Sequence, residues 1–150
     1  MPNWCDNDLR VEGNKALLKV FQEYVKGPAN VLNPSEGETD FSFHKILPIP
    51  DEILANHNRG GMKWYDWCVE NWGTKWQPTE VFSEEDSLGV WCAFDTAWSP
   101  PEGVILKASR TFPELLFRLT ATPEGEDTIV LEIVNGKIIK EETVDESEDA

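Results

Sequence analysis

No stretch of this sequence approaches the roughly 18 consecutive apolar residues of a membrane-spanning helix, and no basic leader precedes an apolar segment, so neither membrane insertion nor export is expected. Basic residues are scarce. Thirteen Lys and Arg stand against 28 Asp and Glu, a net charge of −15. Because Lys and Arg supply nearly all non-specific affinity for nucleic acid, direct nucleic-acid binding is not expected. Six of the acids and one base fall in "KEETVDESEDA" (Lys140–Ala150), which leaves −10 for the body. Cysteines number three (Cys5, Cys68, Cys92) and none are close in sequence, a usage that fits buried thiols in a reducing cytoplasm better than a disulfide framework. Neither His44 nor His57 has a Cys or acidic partner at a metal-ligand or nucleophile-base spacing. Ser99 has no GxSxG setting, and no glycine-rich phosphate loop is present. No metal and no cofactor is therefore expected, and an enzyme of unknown reaction ranks last among the function classes.

The 150 residues suit one domain, which at that size buries about two thirds of its unfolded surface. Seven Trp (4, 64, 67, 72, 76, 91 and 98) all precede residue 99. "NWCDNDLRVEG" alternates, with Cys5, Asn7, Leu9 and Val11 on one side and Trp4, Asp6, Asp8 and Arg10 on the other, a strand ending at Gly13. From Asn14 the period becomes helical, with Leu17, Val20, Phe21, Tyr24 and Val25 in one stripe stopped by Gly27-Pro28. "TDFSFHKIL" returns to period two, Pro48 and Pro50 end it, and residues of about 50–72 form an inserted helical excursion. "TKWQPTEVF" and "LGVWCAFDTAW", parted by "SEEDS", signal a hairpin. Pro100-Pro101 opens a helix with Val104, Ile105, Ala108 and Phe112 on its apolar side, and "ELLFRLTAT" is again extended. Asn135-Gly136 is a favoured two-residue hairpin turn.

This order is a split βαβ pattern, predicting an α+β domain over residues 1–144 with a ferredoxin-like antiparallel sheet. Strands are expected near 4–12, 39–47, 76–83, 88–97 and 115–122. Helices near 14–26 and 101–112 should share one face, a C-terminal hairpin should follow, and the acidic residues 145–150 should be disordered.

Four motifs, "MPNWCDNDLRVEG" at the start, "LPIP" at 47–50, "WGTKW" at 72–76 and "FDTAWSPP" at 94–101, resemble the YubB-type ferredoxin-like domain family of bacteriophage and plasmid proteins. The resemblance covers about residues 1–122. It implies a ferredoxin-like sheet, a mobile-element origin and a bacterial cytoplasm, and it brings no activity with it.

The motif residues Asn3, Trp4, Asn7, Gly73, Thr74, Lys75, Trp76, Asp95, Thr96, Trp98 and Ser99 mix polar groups with indoles, as a concave recognition site would. They equally suit a structural role, with Asn7 bonded to a loop, Gly73 at a positive φ and Trp98 sealing a sheet edge. "WGTKW" and "FDTAWSPP" should meet if "SEEDS" is a hairpin turn, bringing Lys75 near Asp95 in a pair worth about 0–1 kcal/mol on an exposed face. Two binding functions are open: a Trp-rich surface engaging a host protein, or an acidic imitation of nucleic-acid phosphates that blocks a host defence enzyme.

Overall fold

A computed structural model describes residues 3–55 and 63–145. Strand β1 (Trp4–Glu12) is the central element of the architecture. It is antiparallel to β5 (Gly89–Ala97) on one side and to β6 (Leu116–Pro123) on the other. With β4 (Thr79–Asp86), β7 (Thr128–Val134) and β8 (Lys137–Val144) they form a six-stranded sheet in the order β4-β5-β1-β6-β7-β8. The chain path from β1 through α1 (Lys15–Tyr24), β4, β5 and α5 (Glu102–Thr111) to β6 gives the expected ferredoxin-like split βαβ arrangement.

Alternation decides which face is covered. Cys5, Asn7, Leu9 and Val11 on β1 are buried, as are Val90, Cys92, Phe94 and Thr96 opposite them on β5 and Phe117, Leu119 and Ala121 on β6. Both long helices pack there: Phe21 of α1 meets Phe117 of β6 edge to face at 5.6 Å and Phe112, just past α5, at 5.5 Å. Asn14 caps α1, its Oδ1 accepting from the N–H groups of Ala16 (2.8 Å) and Leu17 (3.3 Å).

The segment at 39–47 corrects the expected strand. Only Glu38–Thr39 (β3) is extended, paired with Gly27–Pro28 (β2), and Phe43–Ile46 is a helix, α2. Phe41 and Phe43 imitate strand alternation, but Ser42 between them is also fully buried. Acceptors at the helix start make the difference. Ser42 Oγ accepts from Lys45 N (3.3 Å), while Gln77 Oε1 accepts from Phe43 N (2.7 Å) and His44 N (3.3 Å). Four otherwise orphaned donors of a helix start need such partners, and Gln77 lies too far along the chain for a local pattern to reveal.

The helical excursion contains α3 (Asp51–Ala55) and α4 (Trp64–Asn71). Its centre around Arg59-Gly60-Gly61 lies outside the described residues, as do residues 146–150 of the acidic tail. α4 ends on Trp72, fully buried between Phe43 (5.5 Å) and Trp67 (6.1 Å), with Nε1 donating to Leu47 O at 2.8 Å. Phe94, on the inner face of β5, meets Phe41 at 5.2 Å and Phe43 at 5.9 Å, so the α2 segment roofs the β5 side of the core and Trp72 packs behind it.

Two hairpins flank this centre. "SEED" belongs to β4 rather than to a loop: the turn is Ser87-Leu88, tightened by Asp86 Oδ1 accepting from Leu88 N (2.8 Å). At the other end Asn135 (φ 48°) and Gly136 (φ 74°) form the expected two-residue turn of positive φ. β8 is exposed along nearly its whole length, and its pairing with β7 shifts register between Glu132 and Ile133. A similar irregularity interrupts β4 between Thr79 and Phe82.

Two substitutions test the packing. Trp72→Ala removes a fully buried ring and should lower stability by about 3–5 kcal/mol. Gly103→Ala would set a Cβ 1.9 Å from the backbone oxygen of Asn71 and should cost about 1–3 kcal/mol or more. Urea midpoints measure both. A midpoint unchanged in Gly103→Ala would mean that α4 and α5 do not touch there.

Candidate functional site

The two tryptophan-bearing motifs meet through side-chain hydrogen bonds rather than a strand ladder, since β4 begins only at Thr79. Thr74, 1% exposed, donates its Oγ1 to Ala97 O at 2.7 Å. Ser99 Oγ donates to Gly73 O. Trp72 O accepts from Gly103 N at 3.0 Å, serving the first turn of α5, which has no side-chain cap of its own. Gly73 adopts φ 91°, and a Cβ on it would lie 3.0 Å from Pro100 O. The Gly-Thr turn and the Ser-Pro-Pro turn are therefore two halves of one bracket.

Asn7 anchors that bracket to the sheet. Its amide is 4% exposed and donates to Thr96 Oγ1 at 2.9 Å and to Cys5 O at 3.1 Å. Thr96 Oγ1 in turn donates to Ser99 O at 2.7 Å. Asn7, Gly73, Thr74, Thr96 and Ser99 are thus consumed internally, and their polar atoms are satisfied by the fold.

Trp4, Lys75 and Trp76 cluster at the surface, and Trp98 follows β5 next to the bracket. Trp98 is 51% exposed yet has φ 71°, a left-handed conformation that few non-glycine residues adopt. Its backbone N–H donates to the carbonyl of exposed Asn3 at 2.8 Å. Trp4 lies against Trp76, ring centroids 6.4 Å apart. The expected pairing of Lys75 with Asp95 does not occur: Lys75 Nζ sits over Tyr65 (5.1 Å) and Trp76 (5.3 Å) instead. Residues 73–77 lie outside β4, so strand register never brings Lys75 opposite Asp95.

Asp95 faces another acid. It lies directly opposite Asp6 on the open side of the sheet, with Thr79 across its other edge. Partial burial, a hydrogen bond shared with Asp6, and the charges of Asp6 and Glu80 push its carboxyl up to about 6. Asp6, Asp8, Glu80, Asp95, Thr120 and Thr122 line a shallow depression of 340 Å³. Sequence reading singled out Asp95 but missed Asp6 and Glu80. The alternation of β1 places Asp6 outward, but its partner lies 89 positions away and only the strand register reveals it.

Other reactive groups are committed to the fold. Burial pushes the thiols of Cys5 and Cys92 up to about 11 and that of Cys68 to about 12, so none is thiolate near neutrality. His44 Nδ1 accepts from Ile49 N at 3.1 Å, and burial lowers its pKa. Among the described residues no group of three or more His, Cys, Asp or Glu is arranged to hold a metal ion, and no described helix is long and apolar enough to cross a membrane.

Fold and site together define an α+β domain with a ferredoxin-like antiparallel sheet, one covered face and one open face. No protein-family model and no curated protein matches the sequence. Among solved structures it is similar to the protein api92 from Yersinia pseudotuberculosis, which carries the family label DUF1281. The TM-score is 0.77 at 11% identity, over 95% of this chain and 98% of that one. At that identity the likeness establishes the shared fold.

The acid pair makes a testable demand on stability. A carboxyl raised in the folded state binds more protons than its unfolded counterpart between about pH 4 and 6, so its contribution falls as pH rises through that window and stays unfavourable above it. Asp95→Asn should therefore be more stable than the parent at pH 7.5 and should lose that advantage at pH 3.5. Denaturant midpoints at the two pH values check it; an equal difference at both would contradict the shared proton.

Proposed function

We propose that this is a non-enzymatic binding protein of a mobile genetic element, acting in the bacterial cytoplasm, that engages a host protein through exposed Trp98 and the neighbouring Trp4–Trp76 pair. The observation that carries this reading is Trp98. Its side chain is half exposed, while its backbone is held at φ 71° by Asn3 O and by the Thr74, Thr96 and Ser99 bonds on either side. Positive φ in a bulky residue costs on the order of 1–3 kcal/mol and persists where surrounding structure overdetermines it, a pattern that clusters at binding sites. Trp is also among the residues most enriched where binding energy concentrates, and a backbone already held in place loses little entropy on contact.

An acidic imitation of nucleic acid is the less favoured reading. Such a protein needs charges spaced along one face as phosphates are, whereas Asp6 and Asp95 face each other directly across the ladder and share a hydrogen bond. The buried, unionised thiols and the engaged His44 likewise favour binding over catalysis.

Trp98→Ala separates a binding indole from a structural one. Because the ring is half exposed and its backbone strained, the substitution should change stability by no more than about 1 kcal/mol while removing most partner capture from host lysate at both low and high salt. A stability loss of about 3–5 kcal/mol, with capture by the remaining folded protein unchanged, would assign Trp98 to the core instead.

A further inference from the structure

We propose that the open face of the sheet, from Trp4 and Asp6 across to Phe82 and Trp91, docks an extended arginine-rich segment of a partner protein. The proposal rests on reading this chain as a binding protein and names the chemistry of what it binds.

Three observations carry it. First, three of the bases on this face are neutralised within it: Arg10 pairs with Asp86 at 2.6 Å, Arg118 with Glu132 at 3.9 Å and Lys140 with Glu142 at 3.5 Å, while Lys137 stands at the far β8 margin. Asp6, Asp95 and Glu80 form no ion pair among the described residues, so the unneutralised acids on this face lie on the β4-β5-β1 side. Second, aromatic surface is interleaved with these acids. Phe82 is 48% exposed and meets Trp91 at 5.3 Å, and Trp4 stands two residues from Asp6 on the same face. Third, the face already recognises one guanidinium. Arg10 lies over the ring of Trp91 at 5.3 Å while bonding Asp86, the stacked and charge-assisted geometry that distinguishes arginine from lysine.

The same combination of indole and carboxylate recurs at Trp4, Asp6 and Asp95, where neither carboxylate is ion-paired and Lys75 covers the adjoining Trp76 rather than Trp4. Alternative occupants fit less well. A second copy would set acids against acids, and nucleic-acid phosphates would meet the same repulsion. The two facing carboxylates also oppose folding, as like charges directly across a ladder do. A cationic side chain between them would relieve that repulsion, so the pair favours the bound state over the free one.

Titration of an octa-arginine peptide, followed by tryptophan fluorescence and amide chemical shifts at pH 7.5 and 50 mM salt, tests the assignment. The shifts should fall on β1, β4 and β5. Asp6→Asn with Asp95→Asn should weaken binding by at least about tenfold, although the variant is at least as stable as the parent. The charge-matched control Glu38→Gln with Glu114→Gln, both exposed and outside the six-stranded sheet, should bind like the parent. Equal weakening in variant and control would reduce the effect to the net charge and overturn the proposal, as would shifts on the helices or no binding at 50 mM salt. Octa-lysine binding as tightly as octa-arginine would reject the stacking component. Lysate capture that depends on Trp98 but not on the two aspartates would leave the binding-protein reading standing and remove the arginine assignment alone.

Discussion

A buried primary amide must find hydrogen-bond partners or cost the fold several times what the bonds return, and Asn7 sits on the inner face of the central strand with almost no access to water. Its solution is to reach Thr96, whose hydroxyl passes on to Ser99 O, while Ser99 and Thr74 fasten Gly73 and Ala97. Four polar side chains spread over 92 positions of sequence thus form one connected network. Such networks are worth having only when complete, and no buried side-chain polar atom among the described residues lacks a partner. The position of Trp98, the start of α5 and the approach of "WGTKW" all depend on it.

Where the sequence carried a period, the fold could be read from it. β1, α1, β5, α5, β6 and the Asn135-Gly136 hairpin each have a one-sided apolar pattern or a turn residue with its own stereochemistry. The failure at 39–47 is of another kind. Phe41, Ser42 and Phe43 are all buried, so no contrast between faces exists for periodicity to register, and a remote glutamine supplies the caps. The motif residues were legible as a group, but their division into a buried bracket and an exposed corner was not. The side-chain bonds that divide them, such as Asn7 to Thr96, arise only once the register is set. Lys75 turned to two aromatic rings for the same reason.

Both margins of the sheet are irregular. β4 has a bulge at Glu80, which takes φ 53°, and β8 shifts register beside Glu132 while presenting Lys137, Lys140, Glu141 and Glu142. Ile138 and Ile139 are exposed within this charged strand. Bulges and charges on unpaired margins impede the addition of further strands, so the sheet can keep exposed isoleucines at its border without extending through them.

The central placement of β1 also bears on how the chain is made. Its two ladder partners, β5 and β6, are encoded some 77 and more positions later, so the first strand leaves the ribosome with neither of them available. At ordinary elongation rates that interval is on the order of ten seconds. During it Leu9 and Val11 have only the apolar stripe of α1 for shelter, while Asp6, Asp8 and Arg10 on the opposite side of the strand keep it solvated. The acids that later crowd one face of the finished sheet thus first act as a solubilising flank for a nascent strand waiting for its neighbours.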